Sequence, residues 1–307
     1  MNENPEQLDT LVLAGGGYKG LSYVGVIRAL DELGWLTRFR RLIGCSIGGV
    51  ILFLLAIGYT HHELVDFVYH FDYADVNDFK IWRMPVEYGF DSGNRITQML
   101  RLMMKRKLDR VDLTFRELMD ITGFHLTVNA VCLNTHSVTY FNPDLTPEMS
   151  VPLAVRMSMS LPILFTPVAF QEQWYVDGGL LQNFPVTRGE PGHTLGFYFT
   201  NDVGITSIDG LESYLLGLWA CIYRNANRLN IPEEGYRVIP LNIPGVSTID
   251  VGLNRRSRRR LYLDGYHMTL QGLDSKESQQ TPTIQSPMTN PQSSMTNPQS
   301  NDSDEDK

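Results

Sequence analysis

LVLAGGGYKGLSYVGVIRALDELG, residues 11–34, is the stretch that sets the fold class. It opens with a short apolar run, Leu11 to Ala14, and breaks at Gly15-Gly16-Gly17. Beyond the glycines, Leu21, Val24, Ile27, Leu30 and Leu33 recur on one helical face. Arg28, Asp31 and Glu32 lie opposite, and Gly34 is placed to cap the end. This spacing predicts strand, glycine turn, helix. A second unit of the same kind follows, in which Leu42-Ile43 leads into Gly44-Cys45-Ser46 and a long apolar helix starts at once. Strands alternating with helices predict an α/β fold with a parallel sheet.

Further along, Phe71 to Gly93 is rich in aromatic and turn residues. Phe71–Phe90 and the Met-rich run Met99–Met104 read as core, with an acyl-chain groove or a cap over Ser46 as the functional alternative. Thr114 and Glu117 form a capping box for a short helix ending near Gly123. Strands are predicted at Phe124–Cys132, Ser137–Phe141, Trp174–Val176, Thr194–Thr200 and Tyr236–Leu241. Helices are predicted at Val151–Ser160, Asp209–Leu229 and Arg255–Leu270. Residues 1–8 read as a flexible N-terminus and 9–272 as one folded domain. The Ser-, Gln-, Pro- and Asn-rich segment 273–307, with MTNPQS at 288–293 repeated at 295–300, buries too little to fold and is expected to be disordered.

At 43% hydrophobic and 20% charged residues, the chain of 307 can bury a sizeable core. Its net charge is −8, and the segment from Leu273 onward, with six acids against two lysines, carries half of it. A nucleic-acid partner is not expected, because a phosphate-binding surface needs a basic excess. Cys45, Cys132 and Cys221 form neither a disulfide framework nor a metal-ligand pair. A reducing, cytoplasmic compartment is expected, and the polar N-terminus lacks the layout of a signal peptide. Residues 42–59 are uncharged over 18 positions, long enough to be scored as a membrane span. Four glycines interrupt them, and a buried core helix is expected instead.

Three features carry chemistry. Gly44-Cys45-Ser46-Ile47-Gly48 is a G-x-S-x-G turn between strand and helix, which exposes a serine hydroxyl above the strand ends. Equally, its glycines serve a helix that packs closely. The amides of Gly15, Gly16 and Gly17 are able to line an oxyanion, while Gly15-x-Gly17-x-x-Gly20 also fits the dinucleotide fingerprint. That second reading needs an acid about 20 residues on, at the end of the second strand. The nearest acids, Asp31 and Glu32, belong to the intervening helix. Asp177-Gly178-Gly179 closes a strand, either as a turn former or as an acid brought close to another loop.

Taken together, GGGYKG, GCSIG, DGG, LTFRELMDITG, MSMSLPILFTPV and DGGLLQNFPV resemble the patatin-like phospholipases over nearly the whole folded part. The resemblance implies a three-layer α/β sandwich with a mostly parallel central sheet. It implies a lipid acyl hydrolase with a Ser-Asp dyad: Ser46 as nucleophile, Asp177 as base, Gly15–Gly17 as oxyanion hole, Gly44 and Gly48 as the glycines of the elbow. Two positions depart from the family pattern. Ala14 stands where an acid often precedes the glycines, and Lys19 where arginine is usual. The implied reaction is cleavage of phospholipid or acylglycerol esters through an acyl-enzyme, with no metal or cofactor.

Two other functions stay open at this point. One is an esterase with a Ser-Asp-His triad that uses His193 or His267; the other is a nucleotide- or lipid-binding module without chemistry. The basic run Arg255, Arg256, Arg258, Arg259 and Arg260 reads as a solvated helix face, or as a peripheral contact with anionic head groups. Lys19 is expected to hold its loop or to meet a phosphate head group. Cys45 is expected to be a small packing residue.

Overall fold

A computed structural model describes residues 7–70, 76–200, 208, 210, 214, 217–218, 221–222, 234–246 and 253–275. The predicted tail beyond 275, most of the predicted helix 209–229, the start of the N-terminus and the aromatics Phe71 and Tyr73 lie outside them.

Strand β1 (Thr10–Leu13) runs through the glycine turn into α1 (Tyr23–Glu32), and β2 (Arg41–Cys45) runs through Ser46 into α2 (Ile47–Ala56). Then come α3 (His61–His70), the short α4 (Met84–Glu87), β3 (Gly89–Asp91), α5 (Asn94–Leu108) and α6 (Phe115–Thr122). They are followed by the hairpin β4 (His125–Cys132) and β5 (Ser137–Phe141), and by α7 (Val151–Ser158). The chain continues through β6 (Ile163–Phe165), β7 (Val168–Phe170), β8 (Gln173–Asp177), β9 (Thr194–Phe199), β10 (Arg237–Leu241) and α8 (Arg255–Asp274).

Among the described residues the main sheet has eight strands, in the order β10-β9-β1-β2-β4-β8-β7, with β5 added against β4. β10, β9, β1, β2 and β4 are parallel, so their C-terminal ends share one edge of the molecule. β8 pairs antiparallel with β4, setting Ala130 opposite Asp177, and so returns the aspartate to the level of Ser46. The α/β class is the one that the strand–turn–helix alternation predicts, and the mostly parallel central sheet is the one that the family resemblance implies.

Alternation along β1 divides the core. Leu11 and Leu13 face the helical layer, whereas Val12 and Ala14 face the other way, towards Phe184, Val186 and Tyr198. The second face is therefore closed by the 178–188 segment. Helix α2 is nearly all apolar because it is buried on every side, from Gly48 to Ala56. Among the described residues no helix is long and apolar enough to cross a membrane. Helix α8 crosses α1 at a glycine contact: a Cβ on Gly25 would strike the Tyr262 carbonyl, and one on Gly265 would strike the Ser22 carbonyl.

Three differences from the sequence reading have local causes. Helix α3 and the strand pair β3–β6 have no strong apolar period of their own. The predicted helix 151–160 ends at Ser158, because Leu161-Pro162 cannot continue it. The aromatic stretch expected in the core stands largely outside it: Ile81, Trp82, Val86 and Tyr88 are exposed, while Leu100 and Met104 of α5 are buried.

Candidate active site

Ser46 is the single residue between β2 and α2, with φ +51° and ψ −126°. These angles lie outside the regions that L-residues ordinarily occupy, so the turn is strained and held by its surroundings. A Cβ on Gly48 would collide with the carbonyl oxygens of Leu13 and Ala14, and one on Gly44 would come within 2.5 Å of the Gly49 nitrogen. The turn is thus sterically closed to side chains on both flanks. Ser46 itself is half-buried, reachable from outside, and sits at the N-terminus of α2, where the helix dipole favours negative charge.

The Ser46 hydroxyl donates to Oδ2 of Asp177 at 2.7 Å. Oδ1 accepts from the Gly179 amide, also at 2.7 Å. Asp177 is 3% exposed, and burial pushes its carboxyl up to about 6, against the smaller opposing pull of the Ser46 and Gly179 hydrogen bonds. Its charge is desolvated, which makes it a better base than a carboxylate in water. The same burial holds the Cys45 thiol well above its usual range, helped by the neighbouring Asp177 charge, so Cys45 stays a neutral packing group.

Two serines of the segment ahead of the aspartate, to which the sequence assigns no role, fix the pair. Ser158 Oγ accepts from the Ser46 backbone amide at 2.9 Å, and the Ser160 carbonyl accepts from the Asp177 amide at 2.9 Å. Ser160 is in turn gripped by Arg156, whose guanidinium also reaches the Ser92 carbonyl at 2.9 Å and the Thr166 carbonyl at 3.2 Å. The sequence signal for these roles is faint: small polar residues immediately before a Leu-Pro helix stop. Asn183 clamps the glycine loop, its carbonyl taking the Gly15 amide at 3.1 Å and its side-chain amide donating to the Gly15 carbonyl at 3.0 Å. Gly15 therefore holds the loop against the DGG segment. Gly16 and Gly17 are the residues of the trio whose amides remain for an oxyanion.

The other expected residues separate from this centre. His193 precedes β9, its backbone carbonyl accepting from the Asp9 and Thr10 amides at 3.1 Å, at the N-terminal end of the parallel strands, opposite to Ser46. His267 lies exposed on α8, edge-on to Tyr266. Asp31 is bonded to His61, and Glu32 to Arg28 and Tyr266, at the far end of α1. Neither acid stands at the end of β2, where the dinucleotide reading requires one. Lys19 is buried in the loop, not presented to solvent. Arg255, Arg256, Arg259 and Arg260 are exposed, with Arg260 on Asp264 and Arg258 on the Leu253 carbonyl. Among the described residues no group of three or more His, Cys, Asp or Glu side chains is placed to hold a metal ion.

Residues 11–188, which contain the glycine loop, the elbow and Asp177, match the family model of the patatin-like phospholipases. The chain belongs to that family. Among curated relatives, it is 31% identical over 185 residues to the probable lipid hydrolase 463L of Invertebrate iridescent virus 6, covering 59% of this chain and 63% of that one. It is 28% identical over 221 residues to the lysophospholipase NTE1 of Pyricularia oryzae, covering 70% of this chain and 13% of that one. The chain thus spans less than two thirds of the length of these relatives. Among solved structures, VipD from Legionella pneumophila superposes with a TM-score of 0.66 at 18% identity, over 87% of this chain and 67% of that one, a likeness of fold.

Proposed function

We propose that this patatin-like domain hydrolyses carboxylic esters of lipids through a Ser46–Asp177 dyad and an acyl-enzyme intermediate. The observation that carries the reading is the direct 2.7 Å hydrogen bond between the Ser46 hydroxyl and a buried carboxylate. A serine hydroxyl is a weak nucleophile until a bonded base takes its proton during attack. Asp177 Oδ2 is in position to take it, with Oδ1 anchored so that the free lone pairs face the hydroxyl. As Ser46 attacks, the carbonyl oxygen gains charge, which the Gly16 and Gly17 amides and the start of α2 stabilise. One such donor is typically worth ~10²–10³ in rate. Collapse expels the alcohol, protonated by Asp177. Water then enters and attacks as Asp177 takes its proton, and Asp177 returns that proton to the Ser46 oxygen as the acid leaves.

The substrate class rests on the family and on relatives named a probable lipid hydrolase and a lysophospholipase. Support for a dyad over a triad comes from the histidines, all seven of which fall among the described residues. None bonds to Ser46 or Asp177, and His193 is at the wrong end of the sheet. The exposed arginines of α8 are proposed as an auxiliary contact with anionic head groups.

The test is a panel of phospholipids, lysolipids, acylglycerols and short p-nitrophenyl esters, run with wild type and Ser46→Ala. The expected outcome is turnover of at least one lipid ester that vanishes in the variant. Hydrolysis unaffected by the substitution, or none on any ester, contradicts the proposal.

A further inference from the structure

Exposed apolar side chains converge at one place outside the dyad. Tyr88, Leu133, Asn134, Pro167 and Trp174 line a shallow cavity of about 280 Å³. Tyr88 is 64% exposed, Trp174 44% and Leu133 41%. The strand register fixes where this lies. Ala130 pairs with Asp177, and three residues further the Leu133 amide donates to the Trp174 carbonyl at 2.8 Å. At about 3.3 Å per strand residue, the cavity stands roughly 10 Å beyond the dyad, at the sheet end where β2 delivers Ser46.

The turn leading to Tyr88 carries Ile81, Trp82 and Val86, each more than half exposed. It is a built feature. β3 pairs with β6, Thr166 donates to the Asp91 carbonyl at 2.9 Å, and Phe79 stacks on Phe90 at 5.0 Å. Its acids are already matched: Arg83 bridges Asp78 and Glu87 at 3.0 Å each, and Lys80 joins Asp78 while its ammonium lies 5.7 Å from the Trp82 ring. Exposed tryptophan and tyrosine beside aliphatic side chains, with a lysine and no unmatched acid among these residues, form the composition that settles at a lipid–water interface.

We infer that Ile81, Trp82, Val86, Tyr88, Leu133 and Trp174 form a docking surface that seats this chain on a lipid bilayer with Ser46 facing it. The inference rests on the lipid-ester reading above and adds how the substrate is met: at the membrane surface, through apolar contact. This surface differs from the arginine run of α8 in both place and physics. Its attraction needs no anionic lipid and survives salt, whereas arginine–head-group attraction is screened.

The test is co-flotation of the full chain with phosphatidylcholine vesicles in high salt, comparing wild type with Ile81→Ser/Trp82→Ser/Tyr88→Ser/Trp174→Ser. At least a tenfold fall in the partition coefficient is expected, about 1.4 kcal/mol. Quenching of wild-type tryptophan fluorescence by bromolipid is expected as well. If the combined variant does not fold, Trp174→Ser and the quenching carry the test. Equal partition of both proteins overturns the inference. So does binding confined to anionic vesicles, or self-association of the wild type that the substitutions abolish, which marks an interface between copies. Turnover of a soluble short-chain ester reads the dyad separately. Ester turnover without flotation contradicts the docking surface alone; flotation lost in the variant, with no ester hydrolysed by either protein, contradicts the hydrolase alone.

Discussion

Asp177 sits with one oxygen on the Gly179 amide, the other on the Ser46 hydroxyl, and almost no contact with solvent. Raising a carboxyl to about 6 has two consequences of defined sign. The base is needed ionised, so kcat/KM on a soluble ester rises with pH and reaches half its plateau near pH 6; a profile flat down to pH 4 contradicts the assignment. For stability, the folded state holds this proton more tightly than the unfolded chain. The contribution is therefore fully present below pH 4 and lost as pH rises through about 6, on the order of 3 kcal/mol. Asp177→Asn removes that loss while abolishing turnover, so its Tm relative to wild type is expected to be higher at pH 8 than at pH 4.5. A difference independent of pH excludes a raised carboxyl. For the histidines, His193→Gln and His267→Gln are each expected to stay within about tenfold of wild-type turnover, about 1.4 kcal/mol. Loss in either one restores the triad. At this scale the sequence carries Ser46 and Asp177 legibly, because their glycine neighbours mark sharp turns. It does not carry Ser158, which meets the Ser46 amide 112 residues away, or Ser160, whose carbonyl meets the Asp177 amide only once β8 is folded back against β4.

The elements read from the sequence are those with a strong period or a recognisable cap. α1 shows its apolar stripe, and α6 shows the Thr114–Glu117 capping box, in which the Thr114 hydroxyl accepts from the Glu117 amide and the Glu117 carboxylate accepts from the Thr114 amide. The mini-sheet β3–β6 is illegible because three-residue strands leave no alternation to find, and its partner lies some 70 positions away. The α1–α8 crossing is illegible for the same reason: Gly25 and Gly265 look like ordinary helix interruptions until the two helices are placed together. Their backbones meet so closely that Gly265→Val forces the helices apart. It is expected to lower stability by about 1–3 kcal/mol, seen as a lower denaturant midpoint with an unchanged slope. An unshifted midpoint contradicts the close crossing. Because α8 carries the arginine run, the same contact also fixes how that run is presented.

Across the molecule, the parallel strands bring two separated loops and one antiparallel strand to a single edge. Ser46 arrives from β2, the glycine loop from β1, and Asp177 from β8, which enters from the opposite direction and is aligned by β4. The parallel part of this arrangement follows from the alternation of strands and helices in the sequence. The antiparallel return of β8 does not, because strand order is decided by tertiary pairing. Nor does the exposed surface of Trp82, Tyr88 and Trp174, since aromatic residues are equally at home in a core. In the proposed mechanism Ser46 is a nucleophile activated by Asp177 without a histidine. Its most direct test is fluorophosphonate labelling followed by peptide mass mapping on wild type, Ser46→Ala, His193→Gln and His267→Gln. One adduct is expected, on the peptide holding Ser46, absent from Ser46→Ala and formed at a near wild-type rate in both histidine variants. An adduct on another residue, or labelling lost with either histidine, contradicts the mechanism.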